Sequence, residues 1–128
     1  MAKYLLDTTV LIDFLRGRPA IVDAVKSMVR DGHQLSLCCI NVAELYSRMS
    51  VGEQAAAASL VEFLEYLDVS LAAARRAGNW RYGLARQGVT VATADAIVAA
   101  TAYEHGTQLV TKNVRDFPME GLGIVRQP

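Results

Sequence analysis

The sequence predicts an α/β protein with a central parallel sheet between helices, a three-layer α/β/α arrangement over residues 1–128 as one domain. Three observations predict it. Short apolar runs alternate with stretches of helical period, and the connections are near helical length, which joins parallel strands by right-handed crossovers. At 128 residues the chain is the size of one ordinary domain, and two cores would be cramped. With 52% hydrophobic and 20% charged residues it can bury a packed core and is not intrinsically disordered.

Lys3–Leu6 is a short apolar run suited to an opening strand. Over Thr8–Arg16 the period changes: Val10, Leu11, Phe14 and Leu15 share a helical face, and Gly17 supplies a stop. Pro19 suits the first turn of a second helix, whose buried stripe is Ile21, Ala24, Val25, Met28 and Val29 and which Gly32 ends. Leu35, Leu37 and Cys39 alternate with Ser36, Cys38 and Ile40, as in a strand buried on both faces. Asn41 reads as the cap of a helix carrying Val42, Ala43, Glu44 and Leu45, with Glu44 in its first turn.

Glu53–Leu67 is an amphipath with Ala57, Leu60, Val61, Leu64 and Leu67 on one stripe. Asp68–Leu71 reads as a short strand, followed by a helix to about Gln87. Asp95–His105 is apolar almost all round, hence a buried helix, closed by Gly106. Gln108–Val110 and Ile124–Val125 read as the last strands. No repeat, linker or low-complexity tract interrupts the alternation.

Thirteen Lys and Arg balance thirteen Asp and Glu, so no overall basic field announces a nucleic-acid partner, although placement of charge matters as much as its sum. The apolar run before Asp7 is too short for a signal-peptide core, and no stretch approaches the roughly 18–20 apolar residues of a spanning helix. No membrane association and a cytoplasmic location are expected. Cys38 and Cys39 are adjacent, matching neither a redox pair nor a zinc knuckle, and read as two small buried hydrophobes. His33 and His105 stand alone, without ligand spacing.

Ligands of an open parallel sheet bind beyond the carboxyl ends of its strands. Four acids fall at such transitions: Asp7 after the first strand, Glu44 after the second, Asp95 opening the buried helix, and Asp116 beyond the Leu109–Thr111 strand. Each has a structural explanation as a cap, a dipole partner or a turn residue. Glu44 fits that explanation least well, because its neighbours are apolar and a charge on a buried element is costly unless paired. Four carboxylates in one cleft repel, a conflict that a hard divalent cation removes. Without His or Cys ligands, Mg²⁺ or Mn²⁺ fits better than Zn²⁺.

Four stretches together resemble a PIN domain, specifically the VapC-type toxins of toxin–antitoxin pairs: Leu6-Asp7-Thr8-Thr9-Val10-Leu11-Ile12-Asp13, Asn41-Val42-Ala43-Glu44-Leu45, Ala94-Asp95-Ala96-Ile97-Val98-Ala99-Ala100, and Leu109-Val110-Thr111-Lys112-Asn113-Val114-Arg115-Asp116-Phe117. No single motif is specific; all four in order cover nearly the whole chain. The resemblance implies a PIN-like α/β/α fold and a Mg²⁺- or Mn²⁺-dependent endoribonuclease, with Asp7, Glu44, Asp95 and Asp116 as the metal-binding and catalytic set. Thr9 is a supporting residue. Asn113 stands where relatives can carry an acid, which leaves open whether one metal or two bind. Asp13 is left as a surface or salt-bridge residue.

The resemblance further implies an RNA substrate, a cognate VapB-like antitoxin that blocks the pocket, and a homodimer. Helical faces around Met28, Leu45, Met49 and Ala55–Leu60 are candidate surfaces for the dimer or the antitoxin. Because an acidic pocket repels a polyanion, something beside it must attract RNA. Between Asp68 and Asp95 there is no acid, while Arg75, Arg76, Arg81 and Arg86 are interleaved with Trp80 and Tyr82, an RNA-facing helix or else a solvated one with Trp80 in the core. Two rivals stand beside this reading. One is a PIN-like module that binds RNA or a partner without cutting. The other is a receiver-type phosphoacceptor, disfavoured because Asp7 is followed by Thr8-Thr9 and Asp68 precedes its candidate strand. Which RNA is cut, and where, is not written in the sequence.

Overall fold

Alternation along the strands decides which side chain enters which layer. In the computed structural model, which describes residues 1–127, the strands are Lys3–Leu6 (β1), Gln34–Cys38 (β2), Glu65–Leu67 (β3), Gln108–Thr111 (β4) and Ile124–Arg126 (β5). All neighbours are parallel, in the order β3-β2-β1-β4-β5. Leu5, Cys38, Leu67 and Leu109 point to one face, and Leu6, Leu35, Leu37 and Val110 to the other. Both faces are apolar because both are covered.

The helices are Thr8–Leu15 (α1), Pro19–Arg30 (α2), Cys39–Ser47 (α3), Gln54–Phe63 (α4), Leu71–Arg86 (α5) and Thr93–Glu104 (α6). One face of the sheet meets Val10, Leu11, Ile21, Val25, Leu45, Ala57 and Leu60 from α1 to α4. The other meets Ala73 and Ala77 of α5 and Ala96, Val98, Ala99, Ala100 and Ala102 of α6. Small side chains let α5 and α6 lie close together as an antiparallel pair. Gly106, at φ +65°, takes the left-handed position that lets α6 turn into β4. The three-layer α/β/α expectation therefore holds.

Three local expectations are corrected. The amphipathic stripe does not run to Leu67 in one helix: α4 ends at Phe63 and the strand is Glu65–Leu67, not Asp68–Leu71. Leu64 packs among the α1–α4 core and Leu67 among the α5–α6 core, so an apparent single stripe belongs to two faces of the sheet. The second strand ends at Cys38, which leaves Cys39 exposed at the start of α3 and only Cys38 buried. Asn41 is then the third residue of α3, not its cap, and Glu44 falls in the second turn. Asn41 still satisfies the helix end, since its Oδ1 accepts the Cys38 N–H at 2.9 Å.

Candidate active site

The strand order reverses at β1, from which the chain crosses first to β2 and later to β4. Ligands bind beyond the carboxyl ends at such a switch. Asp7 stands there, just past β1. Its N–H donates to Val110 O at 2.9 Å, prolonging the β1–β4 ladder, and it then caps α1 with Oδ1 accepting the Thr8 N–H at 2.8 Å. The other oxygen, Oδ2, accepts from Thr111 Oγ1 at 2.9 Å and from Thr9 Oγ1 at 3.2 Å. Asp7 is buried at 7% exposure, and burial pushes its carboxyl above the ordinary range; the three donors oppose the rise and the Glu44 charge adds to it.

Glu44 reaches the same edge from α3. Its Oε1 accepts the Thr8 hydroxyl at 2.7 Å, and Asn41 Nδ2 donates to that hydroxyl oxygen at 3.2 Å. Asn41 is fully buried and ties three groups together: the β2–α3 junction through Cys38, Thr8, and through Thr8 the glutamate. Asp95 lies in the first turn of α6. Its carboxyl is pushed up to about 6 by burial first, then by the negative charges of Asp7, Asp116 and Glu44. Asp116 ends a 3-10 turn over Val114–Asp116 beyond β4 and is exposed.

Four acids from four places in the chain thus share one edge and one electrostatic field. They are not gathered into a finished ligand shell: among the described residues, no three His, Cys, Asp or Glu stand at metal-binding spacing. Nor does any Lys or Arg ion-pair with these four among the described residues; the ion pairs are those of Asp13 and Glu104. One buried carboxylate (Asp7), two half-buried ones (Glu44 and Asp95) and an exposed one (Asp116), none ion-paired to a Lys or Arg among the described residues, form an all-oxygen donor set of the kind that suits a hard cation.

The supporting residues divide. Thr9 bonds to Asp7 as above. Asn113 acts here through its backbone, its N–H donating to Thr111 Oγ1 at 3.0 Å. Asp13 is a salt-bridge residue at 13% side-chain exposure, with Oδ2 accepting from Lys112 Nζ at 2.6 Å and Arg18 Nη1 at 2.9 Å. Sequence reading assigns Thr8 and Thr111 no role at the site, and Asn41 only that of a helix cap. The available signal was a hydroxyl or amide forced into an apolar setting, which must find a polar partner.

The α5 arginines do not form one face toward the acids. Arg76 pairs with Glu104 at 3.1 Å and lies over the Tyr103 ring at 4.0 Å, near the end of α6. From Asp95 to Glu104 is about 13 Å along the helix, so Arg75 and Arg76 are remote from the acidic edge. Arg81 Nε donates to Val91 O at 2.8 Å, fixing the α5–α6 loop. Arg86 stacks on exposed Tyr82 at 4.2 Å. Trp80 packs edge-on against Tyr103 beside the core, as the solvated-helix alternative requires. Leu45 and Met49, named as docking candidates, are core residues. The apolar opening on that side is a hollow of about 540 Å³ between α1, α2 and α4, bordered by Phe14, Val29, Leu60 and Phe63.

A family profile described as PIN domain matches residues 4–118. Ribonuclease VapC19 of Mycobacterium tuberculosis is 31% identical over 117 residues, covering 90% of this chain and 92% of the relative. The tRNA(fMet)-specific endonuclease VapC of Shigella flexneri is 31% identical over 126 residues, covering 94% of each. A chain of the crystal structure of DNA-bound VapBC from Salmonella typhimurium superposes with a TM-score of 0.84 at 28% identity, covering 98% of each chain.

Proposed function

The chain belongs to the PIN-domain family, and on that premise we propose that it is a divalent-cation-dependent endoribonuclease, the toxin of a toxin–antitoxin pair. The carrying observation is the convergence of Asp7, Glu44, Asp95 and Asp116 on the carboxyl edge at the β1/β4 switch, where none of the four is ion-paired with a Lys or Arg among the described residues. One relative named as a ribonuclease and one named as a tRNA(fMet)-specific endonuclease, each 31% identical over most of the chain, support the same substrate class.

Asp7, Asp95 and Asp116 would hold Mg²⁺ or Mn²⁺, with Glu44 completing the pocket or serving a second ion. When bound, the cation supplies Lewis-acid chemistry at the scissile phosphate and lowers the pKa of water. The protein's own part is positioning. Thr111 and the α1 amide hold Asp7 with its two oxygens in fixed directions. Asn41 sets the Thr8 hydroxyl so that its proton is given to Glu44. His33 and His105 are at the amino edge, where His33 Nδ1 accepts the Ala2 N–H and His105 bonds Asp68 O. Neither lies where it could promote attack by a ribose 2′-hydroxyl; attack by water on phosphorus, with the ribose 3′-oxygen leaving and taking up a proton, would give a 5′-phosphate and a 3′-hydroxyl.

The partner is a VapB-like antitoxin, whose apolar segment covers the hollow beside Phe14, Val29 and Phe63; Phe63 is 65% exposed without it. A homodimer is the assembly proposed. The non-cutting alternative keeps the fold and loses the chemistry. The receiver alternative needs β3 between β1 and β4, whereas β3 lies at the sheet edge beside β2. The test is cleavage of total RNA by the purified protein with Mg²⁺ and with chelator. Cleavage with Mg²⁺ alone, absent in Asp7→Asn, is expected; intact RNA under every condition supports the non-cutting module instead.

A further inference from the structure

Beside the acids, on the β4–β5 side, lies a hollow of about 510 Å³ bordered by Lys112, Asn113, Arg115, Asp116 and Arg126. Arg126 ends β5 directly opposite Thr111, whose hydroxyl holds Asp7. Strands lie about 4.8 Å apart, so the Arg126 backbone is one strand from the Asp7–Thr111 pair. Arg115 immediately precedes Asp116 in the chain. Arg115 and Arg126 are both exposed, and neither side chain has an ion pair among the described residues. Lys112 shares the single Asp13 carboxylate with Arg18, so that trio keeps a net positive charge.

We propose that this hollow is a subsite for RNA backbone phosphates, with Arg115 and Arg126 contacting phosphates next to the one cut and Lys112 adding a charge fixed by Asp13. The proposal rests on the RNA-cleaving reading and says where the strand lies. A cleft of four carboxylates repels a polyanion, so attraction must come from cations at the same edge. The α5 arginines do not supply it as a set, because Arg76 and Arg81 are engaged elsewhere in the fold. Arg115 and Arg126 make no ion pair among the described residues, and the guanidinium fork suits bidentate bonds to phosphate oxygens.

The test is fluorescence anisotropy of a labelled single-stranded RNA oligonucleotide, titrated over a series of salt concentrations with Asp95→Asn protein so that nothing is cut. Each lost phosphate contact lowers the slope of log affinity on log salt by about 0.7, or about fivefold in affinity near 0.1 M salt. Arg115→Ala and Arg126→Ala should each show that loss, and the double variant about 25-fold. Arg→Lys at either position should retain the slope, because the charge remains. Lys3→Ala, an exposed cation at the amino edge of the same sheet, should change nothing. Melting temperatures should match throughout, since both arginines are exposed. A double variant with unchanged slope, while the Asp95→Asn parent binds RNA, overturns the subsite alone. A wild-type protein that neither binds nor cuts RNA overturns the subsite and the nuclease reading together.

Discussion

Replacing Asp95 by Asn should stabilise the cation-free protein while removing its activity. The Asp95 carboxyl is held at about 6 in place of 3.8 because it is partly buried and faces Asp7, Asp116 and Glu44. A raised carboxyl pKa means the folded state binds the proton more tightly than the unfolded chain does. Stability from this group is therefore full below pH 3.8 and is lost as pH rises through about 6. At about 1.4 kcal/mol per pK unit the ceiling is about 3 kcal/mol. Asp95 is partly open to solvent, and screening reduces the effect to about 1 kcal/mol. For a chain of this size that is a rise in Tm of roughly 3–5 °C. The assay is thermal unfolding in chelator at pH 5 and pH 7.5. The wild type should lose stability between them and Asp95→Asn should lose less, its advantage appearing at the higher pH. Saturating Mg²⁺ should reverse the order by stabilising only the wild type. Asp95→Asn less stable than wild type in chelator at pH 7.5 would refute the shared field.

Thr111→Val removes the donor to Asp7 Oδ2 and the acceptor of the Asn113 N–H. It should cost about 1–3 kcal/mol in chemical denaturation and weaken cation affinity, whereas Thr111→Ser should restore most of both. Arg76→Ala should lower stability by about 1 kcal/mol through the lost Glu104 pair and Tyr103 contact, with the RNA salt slope unchanged in the binding assay. Phe63→Glu places a charge at the rim of the α1–α2–α4 hollow and should weaken antitoxin capture in co-purification at least tenfold while leaving RNA cleavage by the free protein intact.

The layer arrangement was legible because its signals are local and redundant. The first strand, Asp7 and the α1 face of Val10 and Leu11 each follow from periodicity plus a cap. Of the four acids, Asp7 and Glu44 follow strands as a parallel sheet's ligand groups do. Asp95 instead opens α6 directly after α5, and Asp116 lies in a 3-10 turn between β4 and β5, so the strand-to-helix rule places only Asp7 and Glu44. The Glu65–Leu67 strand was not legible: Leu60, Leu64 and Leu67 keep helical spacing, and only the tertiary structure divides Leu64 and Leu67 between opposite faces. Asn41 was recognised as polar and structural but assigned the wrong place, since one residue's difference in where β2 ends moves it from cap to third helical position. The arginines of α5 show a harder limit. Composition counts cations, but their ion pairs and backbone acceptors come from Glu104 and Val91 on the next helix and loop. Arg115 and Arg126, without an ion pair among the described residues, carry no signal in the sequence because they are ordinary charges in a short turn and an edge strand.

The most direct measurement of the central claim is Mn²⁺ binding, followed by electron paramagnetic resonance on the free protein and its Asn variants. Wild type should take up Mn²⁺ with saturable affinity, weakened at least tenfold by Asp7→Asn and by Asp95→Asn and competed by Mg²⁺. Binding that is indifferent to both substitutions, or no saturable binding at all, would contradict the sharing of one ion by these carboxylates.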